Sequence, residues 1–237
     1  MGKSLSLGLC AVALLAAVGL AVEASAQRSD WWGGDPSAPA TAPPPDAGRG
    51  GRLAAEACAT CHGEDGDSPD PLYPKLAGQR AGYLHRQLLA FRSGHRRSDV
   101  MADVAAALSD ADMADLAAFY SRQVRRPDAV DDRELAERGR QIFKGGHQPR
   151  MPSCAMCHGA SSQGHMPMMG MRPMMSMMED APILNGQHAG YLVDQLRQFA
   201  TGERQATTMM GMMMGRAAST LTEAEARSVA EYLSGLP

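Results

Sequence analysis

The pentapeptide Cys-Ala-Thr-Cys-His at 58–62 returns as Cys-Ala-Met-Cys-His at 154–158, and no other feature limits so sharply what the chain can become. Two cysteines three residues apart on a helical turn project the same way. Sulfurs so placed reach the two vinyl groups of a single porphyrin, and the histidine that follows sets an imidazole nitrogen against its iron. This is the spacing of c-type haem attachment. A redox dithiol is one alternative, but it does not require a histidine after the second cysteine in both copies. A zinc site built from both pairs is another, and it would draw on motifs whose inner cysteines, Cys61 and Cys154, lie 93 residues apart.

The motif is one part of an internal repeat. The run from Pro74 to Leu84 matches the run from Pro182 to Leu192 at an offset of 108, and the match continues through Gln87 and Gln195, Phe91 and Phe199, and Gly94 and Gly202. Upstream the two Cys-x-x-Cys-His motifs match at an offset of 96, and downstream Met101 and Leu108 match Met214 and Leu221 at 113. The second copy therefore carries insertions of 12 and 5 residues, both rich in methionine.

Everything in the repeat has a helical period. Tyr83, Leu84, Leu88 and Phe91 share a face, as do Tyr191, Leu192, Leu196 and Phe199. Ser109 with Asp112, and Thr222 with Glu225, resemble capping boxes that open a last helix in each copy. Arg133 to Phe143 spaces Leu135, Gly139, Ile142 and Phe143 as a first helix for the second copy, and the charged stretch Val124 to Asp132 links the two. The expected fold class is all-α, as two tandem domains each wrapped around one covalently bound haem. Aromatic residues are only 5% of the chain, so a bulky group in each core suits domains of this size.

The expected organisation is a signal peptide at 1–26, a Pro/Ala-rich tether at 27–48, an N-terminal domain at 49–127 and a C-terminal domain at 128–237 with a Met-rich insertion at 166–178. Lys3, the apolar run Leu5 to Val22, and Ala24-Ser25-Ala26 form an export signal with a cleavage site. Export places the chain in the periplasm, with an uncleaved membrane anchor as the alternative. Such a compartment normally pairs cysteines, and Cys58, Cys61, Cys154 and Cys157 are the four left after cleavage. A net charge of −3 argues against a partner of nucleic acid.

The covalent haem attachments are assigned to Cys58, Cys61, Cys154 and Cys157, and the first axial ligands to His62 and His158. A carrier's second ligand is normally methionine. After His62 the first copy has only Met101 and Met113. Met113 matches Ala226 while Met101 matches Met214, so Met101 and Met214 are the assignments; Met209, Met210, Met212 and Met213 stay open as substitutes in the second copy.

On these residues the chain resembles dihaem cytochromes c of the cytochrome c4 type. The resemblance rests on Cys-x-x-Cys-His-Gly at 58–63 and 154–159, the two Pro-x-Leu-x-Gly-Gln runs, and the segment from Leu108 to Tyr120, and it covers about Gly48 to Pro237. It implies two cytochrome c folds packed head to head, with the Pro74 and Pro182 carbonyls holding the outer nitrogens of the haem histidines. It also implies an electron carrier, not an enzyme, working between a quinol oxidiser or dehydrogenase and a terminal oxidase, with peripheral membrane association compatible with that role. Two other readings are a dihaem peroxidase, which needs an open haem, and a haem subunit of a larger dehydrogenase.

Met166 to Met178 holds eight methionines between His165 and Glu179, a soft thioether set suited to Cu(I), or a flexible apolar loop. His85, His95, His147 and His188, and the arginines Arg92, Arg96 and Arg97, read as solvated surface.

Overall fold

Among the described residues, five helices are laid down twice in the same order. The computed structural model describes residues 43–146, 152–159, 181–205 and 207–237. The first set is α1 (Ala47–Ala57), α2 (Ala59–His62), α3 (Ala81–Arg92), α4 (Asp99–Ala106) and α5 (Asp110–Tyr120). The second is α6 (Arg133–Gly145), α7 (Cys154–His158), α8 (Ala189–Thr201), α9 (Met209–Ala218) and α10 (Glu223–Ser234). No strand occurs among the described residues, in keeping with the all-α expectation.

Local sequence dictates where these helices begin. The Ser109 and Thr222 hydroxyls accept from the backbone N–H groups of Asp112 and Glu225, whose carboxylates accept in return, so both expected capping boxes form. Asp132 caps α6 through the Leu135 N–H. Asp46 caps α1 by accepting from the N–H groups of Gly48 and Arg49. Its own N–H donates to Asp115 Oδ1 at 2.6 Å. The first domain thus takes in Asp46, Ala47 and Gly48, which the sequence reading gave to the tether.

In each domain the first and last helices cross at a glycine. A Cβ on Gly50 would overlap the Asp115 carbonyl in α5, and one on Gly139 would overlap the Ser228 carbonyl in α10. Glycine lets the backbones touch, and the apolar residues beside the crossing close over it. Ala54, Leu84, Leu116 and Tyr120 form that core in the first domain, and Phe143, Leu192, Val229 and Leu233 in the second. Both cores are short on large side chains, as the composition implies.

The linker is tied down along its length. The Arg125 guanidinium donates to the Ala77 carbonyl in the first domain (2.8 Å) and to the Asn185 carbonyl in the second (3.1 Å). Buried Lys75 donates to the Arg126 carbonyl at 2.6 Å and pairs with Asp128 at 2.7 Å. From Asp128, whose N–H donates to the Ser234 carbonyl, the chain is bonded to the second domain. The segment 1–26, residues 27–42 of the tether and the insertion 166–178 lie outside the described residues. Among the described residues, no helix is long and apolar enough to cross a membrane.

Candidate haem sites

Each Cys-x-x-Cys-His motif sits on its own short helix, started and stopped by the sequence around it. Cys58 ends α1 with its N–H donating to Ala54, and α2 then turns once before Gly63, whose φ of 78° breaks it directly after His62. In the second domain α7 carries Cys154 through His158 and ends at Gly159 with φ 81°. Left-handed backbone at these two positions favours glycine, which explains the residue that follows each histidine. None of these four cysteines pairs in a disulfide, and all are partly buried. Burial pushes the Cys58, Cys154 and Cys157 thiols above their ordinary range.

The histidines are the best-defined part of both sites. His62 Nδ1 lies 2.9 Å from the Pro74 carbonyl and His158 Nδ1 lies 3.1 Å from the Pro182 carbonyl. A carbonyl can only accept, so in both rings Nδ1 carries the proton and Nε2 presents a lone pair. Burial disfavours the imidazolium in both, holding each pKa below its ordinary value. A neutral ring with a fixed tautomer and an open Nε2 is what ligation of a metal requires.

Both rings face one large, mostly apolar cavity of about 1270 Å³, walled by side chains from both domains, including all four motif cysteines. That volume exceeds what a drug-sized ligand fills, and thiols, neutral imidazoles and thioethers are the donors of c-type haem. The residues fit two such groups. Met101 and Met214 both line the cavity from α4 and α9. Met113 does not: it is fully buried with Phe91 and Ala105. Of the open substitutes in the second domain, Met210 and Met213 also line the cavity, while Met209 and Met212 are about 60% exposed and do not.

Two surface assignments are corrected. Arg96 is buried, donating to Gln87, Tyr191 and Gln195 and stacking over Phe91 at 4.6 Å. His188 is also buried, with Nδ1 2.8 Å from Asp128 and Nε2 3.0 Å from the Ser68 carbonyl. Arg92 and Arg97 are exposed as expected, Arg92 paired with Asp110, and His95 is exposed. His85 is half-buried and His147 lies outside the described residues.

Arg96 has a counterpart that periodicity alone does not reveal. Arg204, at the same offset of 108, donates to Gln195, Tyr83 and Gln87 and stacks over Phe199 at 4.5 Å. The two arginines cross between domains with near two-fold symmetry. The signal was the repeat offset itself: an arginine retained in both copies beside a retained phenylalanine.

The family model described as cytochrome c matches residues 47–121 and again 136–237. A cytochrome c4 from Thiocapsa roseopersicina is 36% identical over 181 residues, covering 76% of this chain and 86% of that protein. A protein from Stutzerimonas stutzeri (strain A1501) named as a thiosulfate dehydrogenase electron acceptor is 35% identical over 192 residues, covering 79% of this chain and 82% of its own. The crystal structure of reduced recombinant cytochrome c4 from Pseudomonas stutzeri superposes with a TM-score of 0.71 at 33% identity, covering 81% of this chain and all of that one.

Proposed function

The chain belongs to the cytochrome c family as a dihaem member of the cytochrome c4 type, and from that premise we propose that it carries single electrons between respiratory partners in the periplasm. The observation that carries this reading is the twofold occurrence of one residue set: a neutral histidine held by a proline carbonyl, two cysteines of the same motif, and a methionine, all lining the cavity.

Cys58 and Cys61 would hold one haem by thioether bonds and Cys154 and Cys157 the other. His62 with Met101, and His158 with Met214, would supply the axial ligands. Haem iron so ligated exchanges one electron without binding substrate, and a thioether ligand raises its potential. The chain's own residues keep the ligands fixed. The Pro74 and Pro182 carbonyls orient the imidazoles and raise their basicity, and the lining around them is mostly apolar. No residue is assigned a role in bond chemistry.

The periplasmic location is supported by the export-type amino terminus. The electron donor is assigned to a dehydrogenase or quinol oxidiser and the acceptor to a terminal oxidase. The relative named as the electron acceptor of thiosulfate dehydrogenase favours a dehydrogenase on the donor side. For the insertion 166–178, Cu(I) binding rests on thioether softness alone.

Mass spectrometry of the mature protein is expected to show two haem additions that survive acid-acetone extraction. An optical redox titration is expected to resolve two one-electron steps, both from low-spin haems with a thioether band. One addition, or a high-spin ferric haem open to peroxide, would overturn the reading.

A further inference from the structure

The peptide unit between Pro74 and Lys75 is held at both ends, and from different domains. Its carbonyl accepts from His62 Nδ1 at 2.9 Å. Its N–H, on Lys75, donates at 2.9 Å to Oε1 of Gln187, which belongs to the second domain. The Gln187 amide nitrogen completes the pair by donating to the Lys75 carbonyl at 2.9 Å.

The second domain repeats this in mirror fashion. The Pro182 carbonyl accepts from His158, and the Ile183 N–H of the same peptide donates to Oε1 of Gln79 in the first domain at 2.9 Å. Gln79 Nε2 returns a bond to the Ile183 carbonyl at 2.9 Å. Both glutamines are 5% exposed, and each Oε1 also accepts from the N–H of the residue that follows it.

A peptide group is a planar, conjugated unit. Drawing on its N–H polarises its carbonyl, and bonds in such chains strengthen one another where water is excluded. Each glutamine therefore acts on the histidine of the domain to which it does not belong. We propose that Gln79 and Gln187 are crossed positioning residues: Gln187 sets the orientation and basicity of His62, and Gln79 those of His158. The two haem environments are then tied to the docking of the domains, and loosening the interface alters both ligands. This rests on His62 and His158 being axial ligands, as proposed above.

The test uses the full-length, haem-loaded protein and the variants Gln187→Met and Gln79→Met, which keep side-chain length and remove both hydrogen bonds across the interface along with the one from the following N–H. Each haem's potential is followed by optical titration, and its ferric methyl resonances are assigned to a domain through contacts with that domain's residues. A less polarised carbonyl makes the imidazole a poorer donor, so the ferric state loses stabilisation and the potential rises. Gln187→Met should raise the N-terminal haem's potential and Gln79→Met the C-terminal haem's, with up to about a tenfold change in the one-electron equilibrium, equivalent to 59 mV. Hyperfine shifts should move in the same remote haem.

Equal shifts in both haems, or shifts confined to the mutated residue's own domain, would reduce the glutamines to ordinary interface contacts. If Gln187→Met fails to load haem, Gln187→Glu carries the same test with the opposite sign: its carboxylate is a stronger acceptor for the Lys75 N–H, so the N-terminal haem's potential should fall, and by more than the C-terminal haem's; a rise, or an equal fall in both haems, overturns the proposal. Failure of histidine ligation itself shows in the unmutated protein, as loss of its low-spin signature, and is thereby separate from failure of the crossed clamp.

Discussion

Met101 and Met113 stand 12 residues apart in one domain and are put to different uses. Met113 is fully buried core, and Met101 lines the cavity. Met101→Ala is expected to abolish one haem's thioether band and lower that haem's potential, while Met113→Ala keeps the band and costs about 2–5 kcal/mol of stability as a core truncation; visible spectra and denaturant unfolding check both. A second residue-scale expectation concerns Asp128. Burial pushes its carboxyl up, but hydrogen bonds from Lys75 and His188 outweigh burial and hold it below the usual range. A carboxyl depressed by folding stabilises the fold above its unfolded pKa, and that contribution is lost as pH falls through the folded value. Asp128→Asn should therefore melt lower than the parent at pH 7, with the difference shrinking on acidification below about pH 4. Thermal melts of the haem-loaded protein across that range would show it, and a constant difference would rule it out.

At the scale of elements, the helix crossings at Gly50 and Gly139 are the least forgiving points. A methyl group at Gly139 meets backbone in α10, which cannot swing aside as a side chain can. Gly139→Ala should cost about 3 kcal/mol or more and reduce haem retention in the second domain first. Gly190→Ala, in α8 with open space around it, should be neutral or stabilising by up to about 1 kcal/mol. Comparing the two by denaturant unfolding separates the crossing from ordinary helix propensity. Much at this scale was legible in the sequence. Ser109–Asp112 and Thr222–Glu225 announce helix starts through local chemistry alone, and the Pro carbonyls near His62 and His158 follow from a resemblance carried by short motifs. Burial of His188 and Arg96 was not legible, because their partners come from the linker and from the opposite domain. Such contacts have no period in the sequence.

For the whole molecule, the repeat is close to symmetric where the domains meet and departs from symmetry where the chain must run between them. Gln79 and Gln187, and Arg96 and Arg204, exchange equivalent bonds. Lys75 does not, since its counterpart is Ile183 and only one linker needs holding. The other departure is the insertion. His62 and Pro74 are separated by 11 residues and His158 and Pro182 by 23, yet both histidine–carbonyl bonds form, at 2.9 and 3.1 Å. The first domain demonstrates that the shorter connection closes the same contact. Closure of a flexible loop becomes only about 0.6 kcal/mol harder for each doubling of length, so extra residues here cost little and their removal gains little. Deleting residues 167–178 should leave two haems per chain, an unchanged thioether band for the second, and a melting temperature within a few degrees of the parent, about 0.6 kcal/mol being the scale of change. Titration with Cu(I) should distinguish the parent from the deletion if the eight thioethers bind copper. Loss of the second haem, or of its thioether band, would show instead that the insertion is part of the haem site and that the two domains do not close their sites in the same way.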